Sequence, residues 1–202
     1  MVDYAAQDQT LFLPLWAGIP EQDQAADLVF RTLTNPQMFN GDFGVTACIK
    51  ENINPENPIC TRVHIPWNTL IGQGLLAYGF REEAVMLVSK LMSAVIKNLK
   101  EQKAFFSSYQ SDDGRGSGEA HAITGLAPVE LFLDTLGVNI LSSKAIQLQD
   151  FNPFPWSVTI RYQGLTIQRE KVRTKITFPG GQTVIVKNPE LRLITIEDET
   201  ES

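Results

Sequence analysis

The stretch Arg62–Lys103, RVHIPWNTLIGQGLLAYGFREEAVMLVSKLMSAVIKNLKEQK, decides how the chain is read. A polar and aromatic bend leads into a short helix that Pro66 can begin, with Asn68 or Thr69 in its first turn and Leu70, Ile71, Leu75 and Leu76 as its apolar side. Gly79 is a natural left-handed stop. A long amphipathic helix follows over 81–103, with Ala84, Leu87, Val88, Leu91, Met92, Val95, Ile96 and Leu99 at helical spacing. Glu82 and Glu83 at its start and Lys97, Lys100 and Lys103 at its end match the helix dipole. The methionines on this helix read as core filling.

Outward from this hairpin, Pro20 with Glu21 and Asp23 opens an earlier helix whose stripe Ala25, Ala26, Leu28, Val29 and Leu33 ends near Asn35-Pro36. The segment 38–58 reads as a loop with one short apolar piece, Val45 to Ile49. Phe105 to His121, FFSSYQSDDGRGSGEAH, reads as a glycine-, serine- and acid-rich loop, and a third helix runs from Ile123 or Thr124 to Leu136, stopped by Gly137. Beyond Phe151 the period changes to that of strands, at 157–162, 165–170, 174–178, 182–187 and 192–197, separated by turns at Gln163-Gly164 and Pro179-Gly180-Gly181. The expectation is therefore a mainly α protein: antiparallel helical hairpins over 1–150, a small antiparallel β-domain over 151–197, and a disordered acidic tail over 198–202.

Composition excludes several classes. The chain has 202 residues, 43% hydrophobic and 20% charged, which suits a globular core. A net charge of −6 leaves no basic stripe for phosphates, so no nucleic-acid partner is expected. The cations Arg169, Lys171, Arg173 and Lys175 alternate along one strand and read as a solvated sheet face. No apolar run approaches the ~20 residues of a membrane span, and the N-terminus lacks a signal-peptide pattern. Cys48 and Cys60 are too few for a disulfide framework or a zinc site. They can pair if the loop between them folds back, but two free thiols in a reducing, cytoplasmic setting are expected. His64 and His121 add no metal-ligand spacing, so neither metal nor cofactor is expected.

Two polar loops flank the long helix, and in a stack of hairpins they share one rim. That rim gathers Arg62, His64, Trp67, Asn68, Tyr109, Asp112, Asp113, Arg115, Glu119 and His121. Aromatic faces with carboxylates and hydrogen-bond donors suit a carbohydrate, whose C–H faces stack on rings and whose hydroxyls need polar partners. The plainer reading makes Asp112-Asp113-Gly114 an ordinary turn and Trp67 a core residue.

The segments FLPLWAGIPEQDQAADLV, MFNGDFGVTA, RVHIPWNTLIGQGLLAYGFREEA, SSYQSDDGRGSGEAHAITGLAPVELFLDTLGV and PFPWSVTIRYQGLTIQREKVRTKITFPGGQTV, over about residues 10–187, resemble the last third of a six-hairpin, (α/α)6-barrel glycoside hydrolase. The similarity is to the glucosidase and amylo-α-1,6-glucosidase-like branch, related to mannosylglycerate hydrolases and trehalases. In that pattern a Trp-Arg-Gly-Pro-x-Trp loop followed by Asn lines the sugar pocket. Arg62, Trp67 and Asn68 match parts of it, without the first Trp and the Gly-Pro pair. The resemblance implies part of an (α/α)6 toroid, a carbohydrate ligand and inverting hydrolysis.

Two departures bear on that implication. The chain has room for four or five of twelve helices, so the half carrying the general acid is missing. The family's catalytic base lies in a Phe-x-Glu-x-Tyr segment, where this chain has Ser107. Inversion needs a carboxylic acid and a carboxylate around one water, and Glu119 is the substitute within reach. The expectation is a hydrolase portion that is catalytically incomplete alone and works as a homodimer or beside a missing N-terminal half. The alternatives are a non-catalytic carbohydrate-binding module or a structural, interaction domain.

Overall fold

The computed structural model describes residues 7–50 and 58–196. The expected disordered tail, 198–202, lies outside the described residues. The chain divides into two compact units, Met1–Leu131 and Phe132–Ser202.

In the first unit, a 3-10 turn Gln9–Phe12 runs into α1 (Leu13–Trp16), followed by α2 (Gln22–Leu28), which continues as a π-helical turn Val29–Leu33. A capping box opens α2: the Glu21 side chain accepts from the Gln24 backbone N–H, and Gln24 Oε1 accepts from Glu21 N–H at 3.0 Å. Strands β1 (Asn40–Gly41) and β2 (Gly44–Val45) form a minimal hairpin. The central pair is α3 (Ile65–Ala77) and α4 (Arg81–Gln102), joined at Gly79 with φ +81°. Ile71 and Leu75 of α3 and Ala84, Leu87, Leu91, Ala94 and Val95 of α4 are buried with Phe12, Leu15, Val29 and Phe39 in one core. Gly74 lets α1 lie directly on α3, because a Cβ there would meet Trp16 N at 2.7 Å.

After α4 come β4 (Phe106–Gln110) and β5 (Gly116–Ala120), a hairpin to which β3 (Arg62–Val63) adds as a third antiparallel strand. The expected third helix is replaced by a 3-10 turn, Ile123–Gly125, and by α5 (Val129–Leu136). Pro128 separates them: it disfavours helical backbone in the residue before it and has no N–H to donate.

The second unit holds β6 (Val138–Ser142), β7 (Ala145–Leu148), β8 (Val158–Tyr162), β9 (Leu165–Arg169), β10 (Thr174–Thr177), β11 (Thr183–Val186) and β12 (Arg192–Thr195). β8 to β11 form a meander, and β12 pairs instead with β7, beside β6. Alternate residues Leu165, Ile167 and Ile176 are buried, with Phe154 and Phe178, giving this unit its own core. The boundary falls inside α5, earlier than Asp150, because the 138–148 hairpin pairs with the last strand.

The mainly α expectation is therefore overturned. The structure is 38% helix and 27% strand, with four antiparallel sheets among the described residues, where only α3 and α4 are long enough to form a substantial helical hairpin. Two further corrections concern side chains. Arg169 is buried, at 2% exposure, while Lys171, Arg173 and Lys175 are exposed, so the basic row is not one solvated face. Cys48 and Cys60 form a disulfide instead of two free thiols, their Cα atoms 4.6 Å apart. The backbone brings them together before the sulfurs do: Cys48 N–H donates to Cys60 O, and Ala47 N–H to Arg62 O. Disulfides persist in oxidising surroundings, which removes the thiol argument for a cytoplasmic location. Among the described residues, no helix is long and apolar enough to cross a membrane.

Candidate functional site

The site is built on the β3–β4–β5 sheet. Arg62 pairs with Gln110 across β3 and β4, and Val63 with Tyr109. Paired residues share a face and neighbours along a strand alternate, so Arg62, Gln110 and Ser108 lie on one face, with Val63 and Tyr109 on the other. His64 continues the Arg62 face in extended backbone, φ −103° and ψ 116°, and serves as the residue that opens α3. Trp67, in the first turn of α3, is 37% exposed. Thr61 Oγ1 donates to Gln110 Oε1 at 3.0 Å and steadies that end of the sheet.

Arg62 is half-buried, and its Nε is buried with no hydrogen-bond partner among the described residues. His64 has its pKa lowered from 6.5, first by burial and then by the charge of Arg62. The imidazole is thus neutral at pH 7 and can both donate and accept. A base with a lowered folded pKa makes a stability contribution that is complete above the unfolded pKa. That contribution is lost as pH falls below 6.5 through the folded value. Urea titrations at stepped pH should show this acid-side loss, and His64→Gln should flatten it; an unchanged profile would remove His64 as its source.

Two expected site residues serve the fold instead. Asn68 is fully buried: Oδ1 accepts from Val45 N–H at 2.8 Å, and Nδ2 donates to Val45 O at 3.1 Å and His64 O at 3.0 Å. Tyr109 is also fully buried, its hydroxyl donating to Gly125 O at 2.7 Å and accepting from Phe106 N–H at 3.2 Å.

The rim expected from sequence divides between the two ends of the β4–β5 hairpin. Arg115 lies at the turn, near the Arg62 end, exposed and paired with Asp113 at 3.2 Å. Glu119 and His121 are at the open end, about 13 Å or more further along at ordinary strand rise, and both are exposed. His121 takes φ +61°, donates its N–H to Phe105 O at 2.7 Å and sets its ring edge-on to Phe105 at 5.8 Å. Ser107 Oγ accepts from Glu119 N–H at 3.0 Å, a contact made possible by Gly118 at φ +81°, where a Cβ would meet that oxygen at 2.3 Å. Ser107 therefore holds the hairpin at the position where the resemblance puts a carboxylate.

One residue escaped sequence reading. Asn98 is buried on α4 and ties it to the hairpin turn, donating to Gly114 O at 2.7 Å and accepting from Gly116 N–H at 2.8 Å. The available signal was an amide in register with Leu91, Ala94 and Val95 on the apolar face. Among the described residues, no three His, Cys, Asp or Glu side chains gather to hold a metal ion.

No protein-family model matches the sequence, and no curated protein does. Solved structures do match the chain. A GH63 mannosylglycerate hydrolase from Thermus thermophilus, solved in complex with glucose, matches at 21% identity and TM-score 0.50, over 64% of this chain and 30% of that one. The neutral trehalase of Saccharomyces cerevisiae matches at 20% and 0.51, over 65% of this chain and 24% of its own. A sialidase matches at 10% and 0.54, over 96% of this chain and 21% of its own. The likeness is one of fold, and the chain spans less than a third of each neighbour's length.

Proposed function

We propose that this chain is a portion of a glycoside hydrolase-like protein that presents Arg62, His64 and Trp67 to a sugar and does not complete hydrolysis alone. The observation that carries the reading is the Arg62 Nε, a buried donor without a partner. Such a group is costly unless an oxygen reaches it. A sugar oxygen that reached the half-buried guanidinium would supply one, and Trp67, 37% exposed in the first turn of α3, offers an apolar face. The GH63 neighbour was solved with glucose, and also with Tris and D-glycerate, which supports testing small polyols.

The incomplete chemistry is supported by Ser107, which cannot act as a base where the resemblance puts a carboxylate, and by Glu119 and His121, which stand apart from Arg62 along the hairpin. In this reading the chain works with a further body of protein, a second copy or the remainder of a hydrolase. A non-catalytic binding module is the second reading, favoured by Ser107.

Titration calorimetry with glucose, maltose, trehalose and a mannoside tests both. Arg62→Met should weaken binding at least about tenfold, the cost of a lost charge-assisted hydrogen bond, and Trp67→Ala should weaken it several-fold. Heat that is absent for every sugar, or unchanged in Arg62→Met, would sink the proposal. Turnover of aryl glycosides by the chain alone, lost in Glu119→Gln, would overturn the non-catalytic part.

A further inference from the structure

The outward side of α4 is apolar for most of its length. Its inward side buries Ala84, Leu87, Val88, Leu91, Ala94, Val95 and Asn98. Beside and opposite these, at alternating spacings of three and four, run half-buried Val85, Ser89 and Met92 and exposed Ile96 and Leu99, flanked by exposed Met86 and Ser93. Met86, Ile96 and Leu99 are 53%, 43% and 41% exposed. The cations between the ends of this band turn to its side: Lys90 donates to Asn40 Oδ1 and Gly41 O, and Lys97 to Asp113 O. A band about 20 Å long, at 1.5 Å per residue, thus carries no charge between Glu82 and Lys100. A surface helix ordinarily shows water a polar face, so this one is shaped for a partner.

We infer that the partner is a second copy of this chain, packed α4 against α4 in antiparallel register about a two-fold axis between Met92 and Ser93. The pattern around that point is self-complementary. Met86 then faces Leu99, small Ser89 faces bulky Ile96, and Met92 lies beside Ser93. The two serines allow close approach, because their hydroxyls are already satisfied within the helix: Ser89 Oγ donates to Val85 O at 2.7 Å and Ser93 Oγ to Ser89 O at 2.8 Å. They enter a dry contact with no donor left unmade.

Charge chooses the direction. In this register Glu82 of each copy meets the basic end of the other, at Lys100 and Lys103, and the helix dipoles oppose favourably. A parallel pairing sets Glu82 against Glu82 and lysine against lysine. The contact is isologous, as a closed dimer requires. One helix pair is at the small end of specific interfaces, so association in the micromolar range is expected.

Sedimentation velocity of the full chain from about 1 to about 200 µM spans that range, and should show monomer giving way to dimer. Ile96→Glu, on an exposed position, should weaken dimerisation at least about tenfold while circular dichroism stays unchanged. Glu82→Lys should weaken it and the double variant Glu82→Lys, Lys103→Glu should recover it. Under mild oxidation Ser93→Cys should cross-link two chains and Met86→Cys should not. A wild type that stays monomeric, an Ile96→Glu variant that still dimerises, or cross-linking through Met86→Cys would overturn the inference. The sugar reading is read by Arg62→Met and Trp67→Ala, so either proposal can fail while the other stands.

Discussion

Asn68→Ala is expected to lower stability by about 2–4 kcal/mol, the sum of a lost buried amide and the backbone groups it leaves unpaired. Asn68 has no exposed surface, and its three hydrogen bonds, to Val45 N–H, Val45 O and His64 O, join the loop that carries β2 to the first turn of α3. Alanine removes a donor pair and an acceptor together and opens a void. Water does not reach the freed Val45 groups at a site with zero exposure. For a unit of this size the melting temperature should drop by roughly 10 °C. Asn68→Asp is the sharper control: it keeps the shape and the bond from Val45 N–H, but a carboxylate cannot donate to two carbonyls and is buried at a cost. It should be at least as harmful as alanine. Thermal denaturation by circular dichroism checks both, and a wild-type melting temperature in Asn68→Ala would return Asn68 to the list of ligand-facing residues.

The second large effect is expected at Arg169. Its guanidinium, 2% exposed, donates to Leu136 O, to Gln149 O at 3.0 Å, to Asp150 O at 3.1 Å and to Thr174 Oγ1 at 3.1 Å. The carbonyls belong to the end of α5 and to the chain following β7, and the hydroxyl to β10. One side chain therefore joins the end of α5, the chain following β7 and strand β10. Arg169→Met retains much of the volume and none of the donors. Removing one partner from a buried charged network costs about 3–5 kcal/mol. At that size it exceeds what a small unit can spare and should shift its unfolding by roughly 15 °C or more. Arg173→Met is the internal comparison. Arg173 forms a bidentate but solvent-exposed pair with Glu170, and its loss should leave the transition in place. Equal transitions for the two variants would show that the Arg169 network is not structural.

Both predictions rest on features that the order of residues conceals. Asn68 sits where a resemblance expects a pocket residue, and its spacing from Trp67 is as compatible with one role as with the other. What decides is Val45, brought against it from across the chain. Arg169 alternates with three other cations, and a single-strand pattern cannot say which of four look-alikes turns inward. The β4–β5 hairpin was hidden for a different reason. Strands advertise themselves by apolar alternation, and FSSYQ and GSGEA have little of it. Their stability comes from backbone pairing, including to β3, which is supplied from the far side of α3 and α4.

The sequence by itself determined the local elements whose reasons are local. These are α3 and α4, with their periodicity, the Gly79 stop and the matched end charges, and the meander 158–186, whose alternation and Gly turns are contained in the strands themselves. The unburied band of α4 was not legible there: its methionines read as core filling, whereas Met86 is 53% exposed, with Ile96 and Leu99 also open. Only the tertiary structure decided that Arg62 lies on a three-stranded sheet with an unpartnered Nε, that Cys48 meets Cys60, and that Asn68, Tyr109 and Arg169 turn inward. The physical reason is common to all of them. A hydrogen bond or a buried position is a property of two segments, and the second segment is not written next to the first.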